Sequence, residues 1–196
     1  MAIDPDPKPS GMRQEVRRLI LAEGYERRDA PFQLASGEWS RDYIDCRRAL
    51  SGGASLRLVA EAIIAIAHER GATFDLVGGL TMGADPLAHA IAILAEKRWF
   101  SVRKEAKGHG KQNLIEGAPV GPSSRVLLVE DVVTTGGSIL RALDAVQAAR
   151  ANVVLAVCVV DRGERAGAEL AARGVAYEPV LTYGDLEIEP VGASTN

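Results

Sequence analysis

The sequence predicts an α/β fold, with a central, mostly parallel sheet flanked by helices and a small N-terminal appendage. Three observations predict it. The runs FDLVGGL (residues 74–80), RVLLVE (125–130) and VVLAVCVV (153–160) are apolar without alternation, which marks strands buried on both faces. Between them apolar residues recur at helical spacing, as in Leu56, Val59, Ala60, Ile63, Ile64 and Ala67. The run at 153–160 is also too rich in β-branched residues to prefer helix. Strands that alternate with helices make a parallel sheet covered on both sides.

Each element follows in order. Residues 1–14, rich in proline and charge, read as a disordered tail, and residues 15–196 as a single domain. A helix is expected around Val16, Leu19 and Ile20, and residues 15–55, including PFQLASGEWSRDYIDCRRAL, form the appendage. The core occupies about residues 56–183. Its first helix stops at Gly71. After the strand at FDLVGGL, Asp85 as N-cap and Pro86 as first helical residue open a helix through Leu87, Ala90, Ile91 and Leu94. WFSVR and RVLLVE are strands, Ile139, Leu143 and Val146 a helical stripe, and YEPVLTY the last strand.

Composition sets bounds on function. A chain of 196 residues, 47% hydrophobic and 5% aromatic, suits one packed domain. Lys and Arg number 23 against 26 Asp and Glu, and a net charge of -3 argues against general attraction to nucleic acid or anionic membrane. MAIDPDPKPSG has no apolar core, so neither a signal peptide nor a membrane span is expected there, and a reducing cytoplasm is the expected location. Cys46 and Cys158 lack metal-ligand spacing, and Cys158 reads as a core thiol. His68 and His89 read as ordinary helix positions, and Trp39 and Trp99 as packing aromatics. The pattern assigns Arg47 and Arg48 no role.

The segment RVLLVEDVVTTGGSIL, Arg125 to Leu140, concentrates the chemistry. It reads as strand, loop and helix start, and in open parallel sheets ligands bind beyond the carboxyl ends of the strands. Thr134, Thr135, Gly136, Gly137 and Ser138 offer consecutive backbone N–H groups, hydroxyls and close backbone approach at a helix N-terminus, which suits a phosphate. Glu130 and Asp131 beside it are acceptors for hydroxyl groups such as those of a ribose. A sugar phosphate pocket is implied. G-x-x-x-x-G-K-[ST] is absent, because Gly110-Lys111 is followed by Gln112. G-x-G-x-x-G fails at Asn113. Between Arg103 and Pro119 there is little apolar periodicity, but Arg103, Lys104, Lys107, His109 and Lys111 gather positive charge, as a mobile cationic lid would.

VLLVEDVVTTGGS resembles the phosphoribosyl pyrophosphate (PRPP) signature of type I phosphoribosyltransferases, and VRKEAKGHGKQNLIEG resembles the catalytic loop of the orotate phosphoribosyltransferases. FQLASGEWSRDYID, VGGLTMGADPLA and VVDRGE match that family in order, so that the resemblance covers roughly residues 15–183. It implies the type I fold, with residues 15–55 as a hood over the active site. It also implies transfer of the phosphoribosyl group from PRPP to orotate, with Mg2+ carried mainly by PRPP, in a homodimer with shared active sites. By position it places Arg103, Lys104, Lys107, His109, Glu130, Asp131, Val132, Val133, Thr81 and the loop Thr134–Ser138 on PRPP. Lys107, His109 and Asp131 carry the chemistry, while Thr134, Arg162, Tyr43 and Ile44 meet orotate. Ala35 and Met82 stand where many members have lysine, and Glu130 where the usual residue is Asp. Two other readings are a phosphoribosyltransferase for a different base and a non-catalytic PRPP-sensing regulator. The lid and Arg162 speak against the first, and the lack of a helix-turn-helix or basic RNA-binding surface against the second.

Overall fold

The computed structural model describes residues 9–105 and 114–191. The chain opens with helix α1 (Pro9–Leu19), which ends in a π-helical turn, Ile20–Gly24. Strands β1 (Tyr25–Gln33) and β2 (Trp39–Ile44) pair antiparallel as a separate ribbon, the hood. A short turn of helix, α2 (Cys46–Ala49), and helix α3 (Gly53–Glu69) lead into the core. There follow β3 (Leu76–Leu80), α4 (Asp85–Leu94), β4 (Arg98–Val102), β5 (Ile115–Gly117), β6 (Arg125–Val133), α5 (Gly137–Ala148), β7 (Asn152–Asp161), α6 (Arg165–Ala172) and β8 (Tyr177–Thr182). The main sheet has the order β5-β4-β3-β6-β7-β8 and is parallel except where β5 runs against β4.

The unalternating runs are buried on both faces. Val77, Leu127, Val129, Leu155 and Val157 pack with α1, α3 and α4, while Leu76, Val126, Leu128, Ala156 and Cys158 pack with α5 and α6. Two cores therefore sandwich one sheet, and its central strands have no polar face. Gly71, at φ +63°, follows the end of α3, where a left-handed residue lets the chain reverse.

Three expectations are corrected. Residues 9–14, read as tail, are helical. Pro9 is tolerated in a first helical turn, and Met12, Val16 and Ile20 form a stripe at i, i+4 spacing that packs on the core. Arg13 and Arg70 both pair with Glu178, and Arg17 pairs with Glu187, so this helix is tied to the main body and not to the hood. Asp85 is the first residue of α4, not its cap. The two tryptophans are exposed rather than packed, Trp39 by 65% and Trp99 by 41%. Trp39 lies on the two-stranded hood, which has no second layer to cover it, and Trp99 lies at the rim of the sheet, edge-to-face with His89 at 4.4 Å. The sequence also gives no sign of β5, a three-residue strand that folds the far side of the lid back onto β4.

Candidate active site

The carboxyl end of β6 carries the site. The β3–β6 ladder ends at Gly78–Leu128. One residue on, the Val129 carbonyl fills the space a side chain at Gly79 would need, 2.1 Å from an ideal Cβ. That close approach brings the next two residues, Glu130 and Asp131, against the loop after β3. A Cβ at Gly83 would lie 2.5 Å from Asp131 Oδ1 and 2.8 Å from Glu130 Oε1. Glycine at 83 is what lets the carboxylates and this loop share one wall.

The two carboxylates differ. Asp131 is half-buried and accepts the Val132 N–H on Oδ1 at 2.7 Å, which sets its orientation. Glu130 is only 3% exposed and accepts the Asp131 N–H on Oε1 at 3.1 Å, while its Oε2 has no partner among the described residues. Burial, and then the neighbouring Asp131, hold the Glu130 carboxyl well above the ordinary carboxylate range. The sign of the consequence follows from linkage. The folded chain keeps the Glu130 proton at a pH where the unfolded chain releases it, so this group costs stability as pH rises above the ordinary carboxylate range. Glu130→Gln is therefore expected to melt higher than the parent at neutral pH, with the gap closing as the pH approaches about 4. Melting curves of both proteins across pH check it, and a gap that does not change with pH would mean that Glu130 is ionised in the folded chain.

Beyond the carboxylates, Gly136 at φ +87° turns the chain into α5, so Thr134 to Ser138 wrap the helix start. A cavity of about 430 Å³ opens there, lined by Leu34–Ser36, Tyr43, Ile44, Val132–Ile139 and Arg141. A second cavity of about 310 Å³ adjoins it and shares Ala35, Tyr43, Ile44, Val132 and Ser138. Its wall adds Asp45, Cys46, Arg47, Leu80–Gly83, Lys104, Glu130 and Asp131. An anion cradle thus sits beside a carboxylate pair under one hood. In the hood, the Arg28 guanidinium lies 4.3 Å over the Phe32 ring, and Phe32 meets Tyr43 edge-on at 5.8 Å, which braces Tyr43 at the cavity wall.

The expected residues separate into groups. Glu130, Asp131, Val132, Val133, the loop Thr134–Ser138, Tyr43, Ile44, Thr81 and Lys104 line these two cavities. Arg103 lines neither. It pairs with Glu116 at 2.8 Å and faces a different cavity, with Met82, Asp85, His89 and Trp99. Arg162 also lines neither cavity; it is 1% exposed, donating to the Asp42 carbonyl at 2.8 Å and to Ser40 Oγ at 2.9 Å, with Nε unpartnered. It ties the hood to the end of β7 from behind the site. Lys107 and His109 lie outside the described residues.

Three positioning residues escaped sequence reasoning. Asp85 takes the Thr81 and Ser101 hydroxyls, each at 2.6 Å, which fixes the loop after β3 to β4. Its proximity to Thr81, four residues back, was the only hint, and it also suits a helix cap. Arg141 donates to the Lys104 carbonyl at 2.7 Å and so anchors the base of the lid to α5. Arg103 N donates to Leu114 O at 2.8 Å across that base. Asp161 accepts the Gly163 N–H at 3.0 Å and the Tyr177 hydroxyl at 2.8 Å, holding the turn behind Thr134. The bonds from Ser101 to Asp85, from Arg141 to Lys104 and from Tyr177 to Asp161 join residues distant in sequence, which no periodicity signals.

Known proteins with this arrangement can now be compared. The family model for the phosphoribosyl transferase domain matches residues 49–176. The orotate phosphoribosyltransferase of Rhodopirellula baltica is 39% identical over 181 residues, covering 88% of this chain and 92% of that protein. The chain belongs to the orotate phosphoribosyltransferase family. Solved structures of the Mycobacterium tuberculosis orotate phosphoribosyltransferase agree. Its complex with Fe(III) dicitrate superposes with a TM-score of 0.75 at 37% identity, and its complex with PRPP with 0.73 at 35% identity, each covering 90% of this chain and 99% of the other. The family's type I fold is the observed one, a largely parallel sheet between helices.

Proposed function

We propose that this chain transfers the 5-phosphoribosyl group of Mg2+–PRPP to orotate, giving orotidine 5′-monophosphate and pyrophosphate in pyrimidine biosynthesis. The observation that carries this reading is the adjacency of the Thr134–Ser138 cradle and the Glu130–Asp131 pair in adjoining cavities of a chain from this family. A phosphate in the cradle meets backbone N–H groups at the start of α5. In the adjoining cavity, the carboxylates accept the hydroxyls and temper the positive charge that develops on the sugar as the bond to pyrophosphate breaks. Tyr43, Ile44 and Thr134 bound the space for the base. Lys104 stands on the side where diphosphate leaves, with Lys107 and His109 as the proposed lid cations beside it. Arg162, expected to meet orotate, is proposed instead to brace the strand that carries Tyr43, through the Asp42 carbonyl and Ser40 Oγ. Mg2+ enters as part of the substrate.

We further propose a homodimer in the cytoplasm. Met82 (63% exposed), Ile93 (78%) and Trp99 (41%) leave apolar surface along the loop after β3, α4 and β4. Arg103 faces that side and not its own carboxylates, which suits a cation lent to a partner's site. No described helix is long and apolar enough to cross a membrane.

With Mg2+ and PRPP the purified protein is expected to consume orotate, followed by loss of orotate absorbance. Turnover of hypoxanthine, guanine or uracil with orotate inert would transfer the reading to another base. PRPP binding with no base consumed would make the chain a sensor.

A further inference from the structure

Among the described residues, the cavity that holds Glu130 and Asp131 carries few cations for the ligand proposed for it. Its wall carries the carboxyl groups of Asp45, Glu130 and Asp131 against the cations of Lys104 and Arg47. A diphosphate brings several more negative charges and needs cations on the side away from the carboxylates. Arg103 is occupied by Glu116 and faces elsewhere. Arg47 is exposed and has no hydrogen bond or ion pair among the described residues, although most arginines near it are engaged: Arg27 with Asp42, Arg28 with Glu26 and Arg41 with the Asp29 carbonyl.

Its backbone is held firmly. Asp45 caps α2 by accepting the Arg48 N–H at 3.0 Å, and Cys46 and Ala49 are 1% and 3% exposed. Gly24 admits this turn, for a Cβ there would be 3.0 Å from the Asp45 carbonyl. A fixed base with an unengaged guanidinium at a cavity wall has the form of an anion-binding arm, since little backbone order remains to be lost on binding. The cradle for the 5-phosphate lies in the adjoining cavity, whose wall does not include Arg47, whereas the wall that does include it also carries Thr81–Gly83 and Lys104.

We infer that Arg47 binds the diphosphate of PRPP, supplying from the hood-to-core turn a cation to the cavity that also holds the carboxylates. This rests on the proposed function for its ligand but not for the base. Inorganic pyrophosphate is the probe, measured by calorimetry beside PRPP. Arg47→Ala is expected to weaken both by about 10- to 30-fold, the loss of one charge-assisted contact, with the melting temperature and the KM for orotate unchanged. Arg47→Lys should retain part of the affinity, because charge remains without the fork. Met82 lines the same cavity and is exposed, so adding Met82→Lys to Arg47→Ala should recover pyrophosphate binding even if the single variant is less stable. Unchanged pyrophosphate affinity in Arg47→Ala would overturn the assignment, as would a defect seen only in the KM for orotate. If the parent binds pyrophosphate in an Arg47-dependent way but consumes no orotate, the base assignment fails and this one stands.

Discussion

Asp131→Asn is expected to cut kcat/KM for PRPP by about 10²–10³ while leaving the fold intact. The side chain keeps its size, and the amide oxygen still accepts the Val132 N–H that orients it. What is lost is the charge. A hydroxyl hydrogen bond to a carboxylate is worth about 1.5–3 kcal/mol, roughly a 10- to 100-fold change in affinity. Because that bond exists before pyrophosphate departs, PRPP binding should weaken. The same negative charge also steadies the positive sugar in the transition state, so turnover should fall too. The local geometry makes substitution by a neighbour ineffective, because Glu130 is buried and turned onto the Asp131 backbone N–H. Calorimetry with PRPP beside single-turnover kinetics checks both parts. A variant with parental PRPP affinity and parental chemistry would remove Asp131 from the site.

The second large effect is on stability. Gly79→Ala is expected to destabilise the chain by about 3 kcal/mol or more, at the upper end of what overpacking costs. An ideal Cβ at 79 would lie 2.1 Å from the Val129 carbonyl and 2.6 Å from the Ala84 Cβ. Neither neighbour can yield: one is backbone of the central strand and the other is fully buried at the start of α4. Against a total stability of about 5–15 kcal/mol, this lowers the melting temperature by about 6–12 °C or leaves little soluble protein. Protein that survives should also bind PRPP poorly, because parting β3 from β6 separates the Thr81–Gly83 loop from Asp131. A melting temperature within about 2 °C of the parent would show that β6 can move aside at low cost.

Both predictions concern a place where two distant segments touch, and this is where sequence reading reached its limit. RVLLVEDVVTTGGS announced a strand, an acidic pair and an anion loop, because a buried strand tolerates no polar residue until it leaves the core. The structure places this segment as strand, loop and helix start, at the end of β6 and the start of α5. The start of α1 differs from the expectation for a related reason: prolines and charges hide Met12, which extends the Val16 and Ile20 stripe by one turn and whose helix packs far along the chain on α3 and β8. The exposure of Trp39 and Trp99 was hidden because composition reports that a side chain is apolar, not whether another layer covers it.

The sequence by itself determined the class of fold, the order of the main core strands and helices, and the place of the Glu130–Asp131 pair and the Thr134–Ser138 loop between a strand and a helix, since each rests on residues adjacent in the chain and on periodicities of a few residues. Only the tertiary structure decided which side chains share a cavity. It brought Arg47 and Lys104 to the cavity that Asp131 lines, turned Arg103 to Glu116, buried Arg162 against the hood, and gave Asp85 to Thr81 and Ser101. The physical reason is that a polar side chain takes whichever partner the packed sheet and helices leave within about 3 Å, and that partner is set by the contacts of whole strands rather than by the residues beside it.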